Sequence, residues 1–178
     1  MTYDPVIDRL IFSSAVLLSL LAMYTDYRWR IIPNRLTLPA IGLGLILNFA
    51  GNGWQGLLFA LVGLAVGFGL MLLPYLLGGM GAGDVKLLAA LGALLGGYAI
   101  LNVFLYATIL GGILAVLIAR RSRRLGKSLV NLIYIVAGVF LYRSLSTTGK
   151  TVDKNIKVPY GIALGAGMFC FLLFGVIV

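Results

Sequence analysis

Five aspartates, Asp4, Asp8, Asp26, Asp84 and Asp153, are the whole acidic inventory of this 178-residue chain, which has no glutamate and no histidine. Its one cysteine, Cys170, lies in an apolar run. A catalytic imidazole, a Cys/His zinc site, c-type haem attachment and an intrachain disulfide are therefore excluded, and no metal site is expected. Any acid–base chemistry by carboxylates must draw on these five, and two of them stand in unusual settings. Asp26 closes a long apolar run in Tyr24-Thr25-Asp26-Tyr27-Arg28-Trp29-Arg30-Ile31-Ile32-Pro33-Asn34-Arg35-Leu36-Thr37. Asp84 follows a glycine-rich turn in Gly78-Gly79-Met80-Gly81-Ala82-Gly83-Asp84-Val85-Lys86-Leu87. Two carboxylates brought close in a low dielectric share one proton, so that one acts as base on a water while the other polarises a scissile carbonyl. That is aspartic-protease chemistry, and it needs neither His, Cys nor metal.

Each residue also has a plainer reading. Asp26 alone could be a solvated carboxylate paired with Arg28 or Arg30. Asp84 alone could be a helix N-cap, favoured by the helix dipole. Four glycines in the six positions 78–83 exceed what a cap requires, and point to backbone that bends sharply or lies against another segment. The loop lacks the Gly-Lys-Ser/Thr of a phosphate cradle and carries an acid where an anion would sit.

The elements that must position these residues are membrane helices. With 61% hydrophobic and 11% charged residues, the chain falls far outside the composition of a soluble domain. The expected fold is an all-α polytopic membrane bundle in a single domain. Six spans are expected, at about 10–24, 36–50, 54–77, 85–98, 100–119 and 160–178. The shorter apolar run at 129–141, bracketed by Lys127 and Arg143, predicts an interfacial helix over about 129–143 rather than a seventh span. Thirteen of the 14 Lys and Arg residues then share one face, which the positive-inside rule makes cytoplasmic, and Arg9 alone lies opposite. Asp26 and Asp84 fall on that basic face. A net charge of +9 accordingly implies topology and contact with anionic membrane lipid, and no nucleic acid is expected. Asn34 or Thr37 is expected to cap the second span. Gly63/Gly67, Gly92/Gly96 and Gly161/Gly165 have GxxxG spacing and predict close helix crossings within the bundle.

Taken together, Asp26 with Ile32-Pro33-Asn34-Arg35-Leu36-Thr37, then Gly81-Ala82-Gly83-Asp84-Val85-Lys86-Leu87, then Lys157-Val158-Pro159-Tyr160-Gly161, resemble the type IV prepilin peptidases, membrane aspartic proteases of the GxGD class. The resemblance covers nearly the whole chain. It implies removal of a short basic leader from prepilin or pseudopilin precursors, at the cytoplasmic face of the bacterial inner membrane. It assigns the catalytic pair to Asp26 and Asp84. It also implies that Pro33, Asn34, Gly81, Gly83, Lys86, Lys157, Pro159, Tyr160 and Gly161 bind substrate or shape the site. Longer members carry a cytoplasmic insert with paired Cys-x-x-Cys motifs and methylate the new N-terminus. Only about ten residues separate the first two expected spans here, so the chain resembles the short, peptidase-only form associated with tight-adherence (Flp-type) pili. No methyltransferase insert, no methyl transfer and no S-adenosylmethionine or other cofactor are expected.

Two other functions stay open from the residues alone. A small ion- or proton-coupled transporter could use the same aspartates, but it would need a polar path toward the outer face. The cores of the spans offer little beyond Asn48, Asn102, Thr108 and small hydroxyls. A scaffold of a pilus or secretion assembly would leave the Asp pair unused.

Overall fold

The computed structural model describes residues 5–76, 80–121 and 160–175. Every element among them is an α-helix: α1 (Pro5–Trp29), α2 (Asn34–Leu76), α3 (Ala82–Leu95), α4 (Gly97–Arg121) and α5 (Tyr160–Phe174). Two of these, α1 and α2, are long and apolar enough to cross a membrane. The chain divides into one unit of Met1–Gly111 with Pro159–Val178, and a second of Gly112–Val158. The second unit is represented among the described residues only by the end of α4. The expected interfacial helix at 129–143 lies outside the described residues, as do Lys157 and Pro159.

The expected second and third spans form one element with a break inside it. Asn52 (φ −134°, ψ 21°) and Gly53 (φ 56°, ψ −135°) leave helical geometry, dividing α2 into arms at 34–51 and 54–76. Gly53 sits in backbone space open essentially to glycine alone, which is why the reversal falls there. Gly96 has the same function between α3 and α4: at φ 83° it ends α3, and its N–H bonds to Gly92 O at 2.8 Å.

The core lies around α3, where Val85 and every residue from Leu87 to Leu95 are buried. With 14 residues, α3 is about 21 Å long, shorter than a bilayer core of about 30 Å. Glycines let α2 close on it. A Cβ on Gly63 would fall on Gly92 O, one on Gly92 would fall on Gly63 O, and one on Gly67 would fall on Leu88 O. On the other arm a Cβ on Gly44 would stand 2.8 Å from the backbone carbon of Ala93. Lipid offers no hydrophobic drive between helices, so this close van der Waals contact is what holds the seam. Asn48, fully buried, seals it: its Nδ2 donates to Gly44 O at 2.9 Å, Ala93 O at 3.1 Å and Leu94 O at 3.2 Å. The last two belong to the final turn of α3, whose carbonyls have no partner in their own helix.

Glycines also seat α5. A Cβ on Gly165 would fall on the Met23 side chain of α1, and one on Gly167 would stand 2.7 Å from Ala107 N and 2.8 Å from Val103 O of α4. These crossings place the first turn of α5 beside the end of α1.

Candidate active site

The chain reverses between α1 and α2 in four residues. Arg30 N–H bonds back to Asp26 O at 2.9 Å, and Arg30 takes φ 53°, a left-handed conformation that stops α1. Residues 31–33 belong to no helix. Pro33 O then accepts from Leu36 N at 3.0 Å, so α2 begins at Asn34 from a backbone carbonyl. The expected side-chain cap is not made: Thr37 Oγ1 is buried with no partner, and Asn34 Oδ1 is used elsewhere.

Asp26 is on the inward side of the last turn of α1, only 6% exposed. It makes no ion pair among the described residues; Arg30 acts on it as a nearby positive charge, and the backbone amides of Gly161 and Ile162 at the start of α5 face it. Among the described residues its Oδ2 has no hydrogen-bond partner. Gly161 leaves room for this carboxylate: a Cβ there would stand 2.8 Å from that oxygen and 3.0 Å from Ile32 Cδ1.

Asp84 lies in the first turn of α3, just before the apolar run that begins at Val85. Its N–H donates to Gly81 O at 3.1 Å, and its Oδ2 accepts from Gly81 N–H at 3.1 Å. The carboxylate thus reaches back to the cap residue, half of a capping box, while remaining at the cleft. Burial pushes its pKa up to about 6; the Gly81 N–H opposes this and the charge of Asp26 adds to it. Asp84 is thus close enough to Asp26 to sense its charge.

Gly83 rests on the segment between α1 and α2: a Cβ would stand 3.0 Å from Ile32 Cβ, 3.2 Å from its O and 3.4 Å from its N. The result is a cleft of about 200 Å³ lined by Asp26, Arg30, Ile31, Ile32, Gly81, Ala82, Gly83 and Asp84. Outside it, Lys86 Nζ donates to Asn34 Oδ1 at 2.8 Å and ties the start of α3 to the start of α2.

Of the residues singled out from sequence, Asp26, Asp84, Gly81 and Gly83 line the cleft, and Gly161 backs Asp26. Pro33, Asn34 and Lys86 brace the turns instead. Tyr160 is not among the lining residues; its ring lies beside Gly111 and its hydroxyl against Thr108 of α4, within electrostatic reach of Asp84. Arg30, Ile31, Ile32 and Ala82 line the cleft without having been singled out; their only signal in the sequence is adjacency to the two motifs. Among the described residues no group of three Cys or Asp side chains comes together to hold a metal ion.

Residues 13–116, more than half of the chain, match the sequence profile of the type IV leader peptidase family. The chain belongs to this family. The matched stretch holds Asp26, the Pro33-Asn34 turn and Gly81 to Lys86, and stops short of Tyr160 and Gly161. Among curated proteins, the chain is 38% identical over 123 residues to a prepilin leader peptidase/N-methyltransferase of Pectobacterium carotovorum, covering 64% of this chain and 43% of that protein. It is 39% identical over 117 residues to one from Neisseria gonorrhoeae (62% and 40%), and 39% over 95 residues to one from Escherichia coli K12 (49% and 41%). The chain thus spans about two fifths of the length of these relatives. No solved structure matches it.

Proposed function

We propose that this leader peptidase family member is a membrane aspartic endopeptidase that removes the short basic leader from prepilin-like precursors at the cytoplasmic face of the bacterial inner membrane. The observation that carries the reading is the meeting of Asp26 and Asp84 in one cleft. In the working pair Asp84 holds the proton, which its burial and the neighbouring charge favour. Asp26 takes a proton from a water in the cleft; the resulting hydroxide attacks the scissile carbonyl carbon as Asp84 protonates the carbonyl oxygen. The tetrahedral intermediate collapses when the proton on Asp26 passes to the leaving amine, and the proton returns from the intermediate to Asp84. Two buried amides away from the cleft, Asn48 and Asn102, bond to helix carbonyls, which supports this reading over a transport path that would run through them.

Topology supports the choice of face. With six spans, the segment after α1 and the turn before α3 share the side that carries thirteen of the 14 basic residues. The substrate class follows, a basic leader in water joined to an apolar helix in the bilayer. The second activity in the relatives' printed names is not carried over; our reading is cleavage without N-methylation and without S-adenosylmethionine.

Purified full chain mixed with a prepilin-like precursor and labelled S-adenosylmethionine should give a shortened product with a new N-terminus and no label. Asp26→Asn and Asp84→Asn should each leave the precursor intact. Cleavage by either variant would sink the dyad, and label on the product would sink the peptidase-only reading. Reporter fusions after Leu36, Met80 and Lys127 should report cytoplasm, and one after Asn52 the opposite side.

A further inference from the structure

Two carboxylates in one cleft are chemically alike, so something has to make one the base and the other the acid. Backbone amides supply part of the difference. Those of Gly161 and Ile162 face Asp26 and oppose the upward push of burial, whereas Asp84 has the Gly81 N–H alone. A cation supplies the rest: Arg30, an exposed residue of the cleft lining, acts on Asp26 as a nearby positive charge.

Two features separate Arg30 from an ordinary surface arginine. Among the described residues it is the only non-glycine with a positive φ, at 53°. A side chain with a Cβ adopts that conformation at a cost that glycine escapes, and such strain gathers at functional sites. The Arg30 N–H bond to Asp26 O ties the strained residue to the one it acts on. The second feature is that, among the described residues, its guanidinium makes no hydrogen bond or ion pair, although an aspartate lies four residues before it. Helix neighbours at that spacing commonly pair. A contact pair would occupy the carboxylate, while a charge held off it leaves Oδ2 open.

We propose that Arg30 is a positioning residue of the site: its charge keeps Asp26 in the ionised form that takes a proton from water, from a distance that leaves Oδ2 free for that water. The proposal rests on the peptidase reading and deepens it by naming what assigns the two roles. The other charged or titratable groups around Asp26 do not do this. Arg28 and Arg35 are exposed and outside the cleft lining, and Lys86 Nζ is bonded to Asn34. From α3 comes Asp84, whose negative charge works against ionisation of Asp26. From α5 comes Tyr160, whose hydroxyl lies against Thr108.

The test uses the full chain in detergent and a synthetic peptide with a Lys/Arg-rich leader joined to an apolar segment. The dependence of kcat/KM on pH reports the base and the acid of the free enzyme. Arg30→Gln should move the acid limb up by about 0.5–1 pH unit and lower the maximum about three- to tenfold, because Asp26 then keeps its proton to higher pH. The alkaline limb, which Asp84 dominates, should move less. Arg30→Lys keeps the charge and should restore the limb and most of the rate. Arg30→Gly takes the 53° angle without strain, so it should unfold no more easily than the unmodified protein and still show the shifted limb. An acid limb unmoved in the Gln and Gly variants, or a Lys variant shifted as far as Gln, would overturn the role of Arg30 and leave the peptidase reading standing. Failure of the unmodified protein to cleave the peptide would overturn both.

Discussion

The seam between α2 and α3 and the cleft at its mouth are both built from glycine, to opposite ends. At the seam, Gly63, Gly67 and Gly92 remove side chains so that backbone meets backbone, and the buried Asn48 Nδ2 bonds to three helix carbonyls. At the cleft, Gly81, Gly83 and Gly161 remove side chains so that carboxyl groups have room, and among the described residues Asp26 Oδ2 is left without a partner. The same residue type closes one region and holds the other open. The seam is therefore where stability should reside, and the cleft is where stability is given up for chemistry.

The largest expected effect tests the cleft. Asp26→Asn and Asp84→Asn should each lower kcat/KM by about 10²–10⁴-fold, with the double variant no worse than either single. Thermal unfolding in detergent should show no loss of stability in any of them. A double variant much worse than the singles would mean that the carboxylates act separately.

The next effect sets the two regions against each other. Gly63→Val should cost about 1–3 kcal/mol or more of stability, because its Cβ meets the backbone of Gly92, which cannot turn aside as a side chain does. Gly161→Ala presses on the Asp26 carboxylate and should lower kcat more than it lowers the unfolding midpoint. Equal loss of stability in the two variants would erase the distinction between seam and cleft.

A third test reads the cleft through pH. Asp84 binds its proton more tightly in the folded protein, at about 6, than at its ordinary 3.8. Its contribution to stability is thus present below 3.8 and lost as pH rises through about 6. Asp84→Asn should match the unmodified protein near pH 4 and exceed it above pH 6 by about 1–3 kcal/mol. Catalysis should decline on the alkaline side with an apparent pKa near 6 that belongs to the pair. If Asp84→Asn destabilises the protein at pH 8, Asp84 is a structural cap and not a strained acid.

The smallest effect concerns the brace between the two turns. Lys86→Met removes the 2.8 Å bond to Asn34, which is exposed and worth about 0.5–1.5 kcal/mol. Activity should fall several-fold with the unfolding midpoint nearly unchanged, since the bond sets the turns carrying Asp26 and Asp84 against each other. An unaltered rate would make it a surface contact.

What the sequence settled by itself was local. The absence of His and Glu ruled out an imidazole and left five aspartates as the only side-chain carboxylates, and the apolar runs dictated helices. Composition and backbone preference belong to short stretches of chain, so they are legible there. Contacts between distant stretches are not. Nothing near Asp26 announces that Gly161 lies against it, and the Lys86–Asn34 bond joins residues with no pattern in common. The cleft exists because helix crossings bring three helix ends together, and those crossings are fixed by which backbones can approach most closely, a property of the assembled bundle rather than of any one segment.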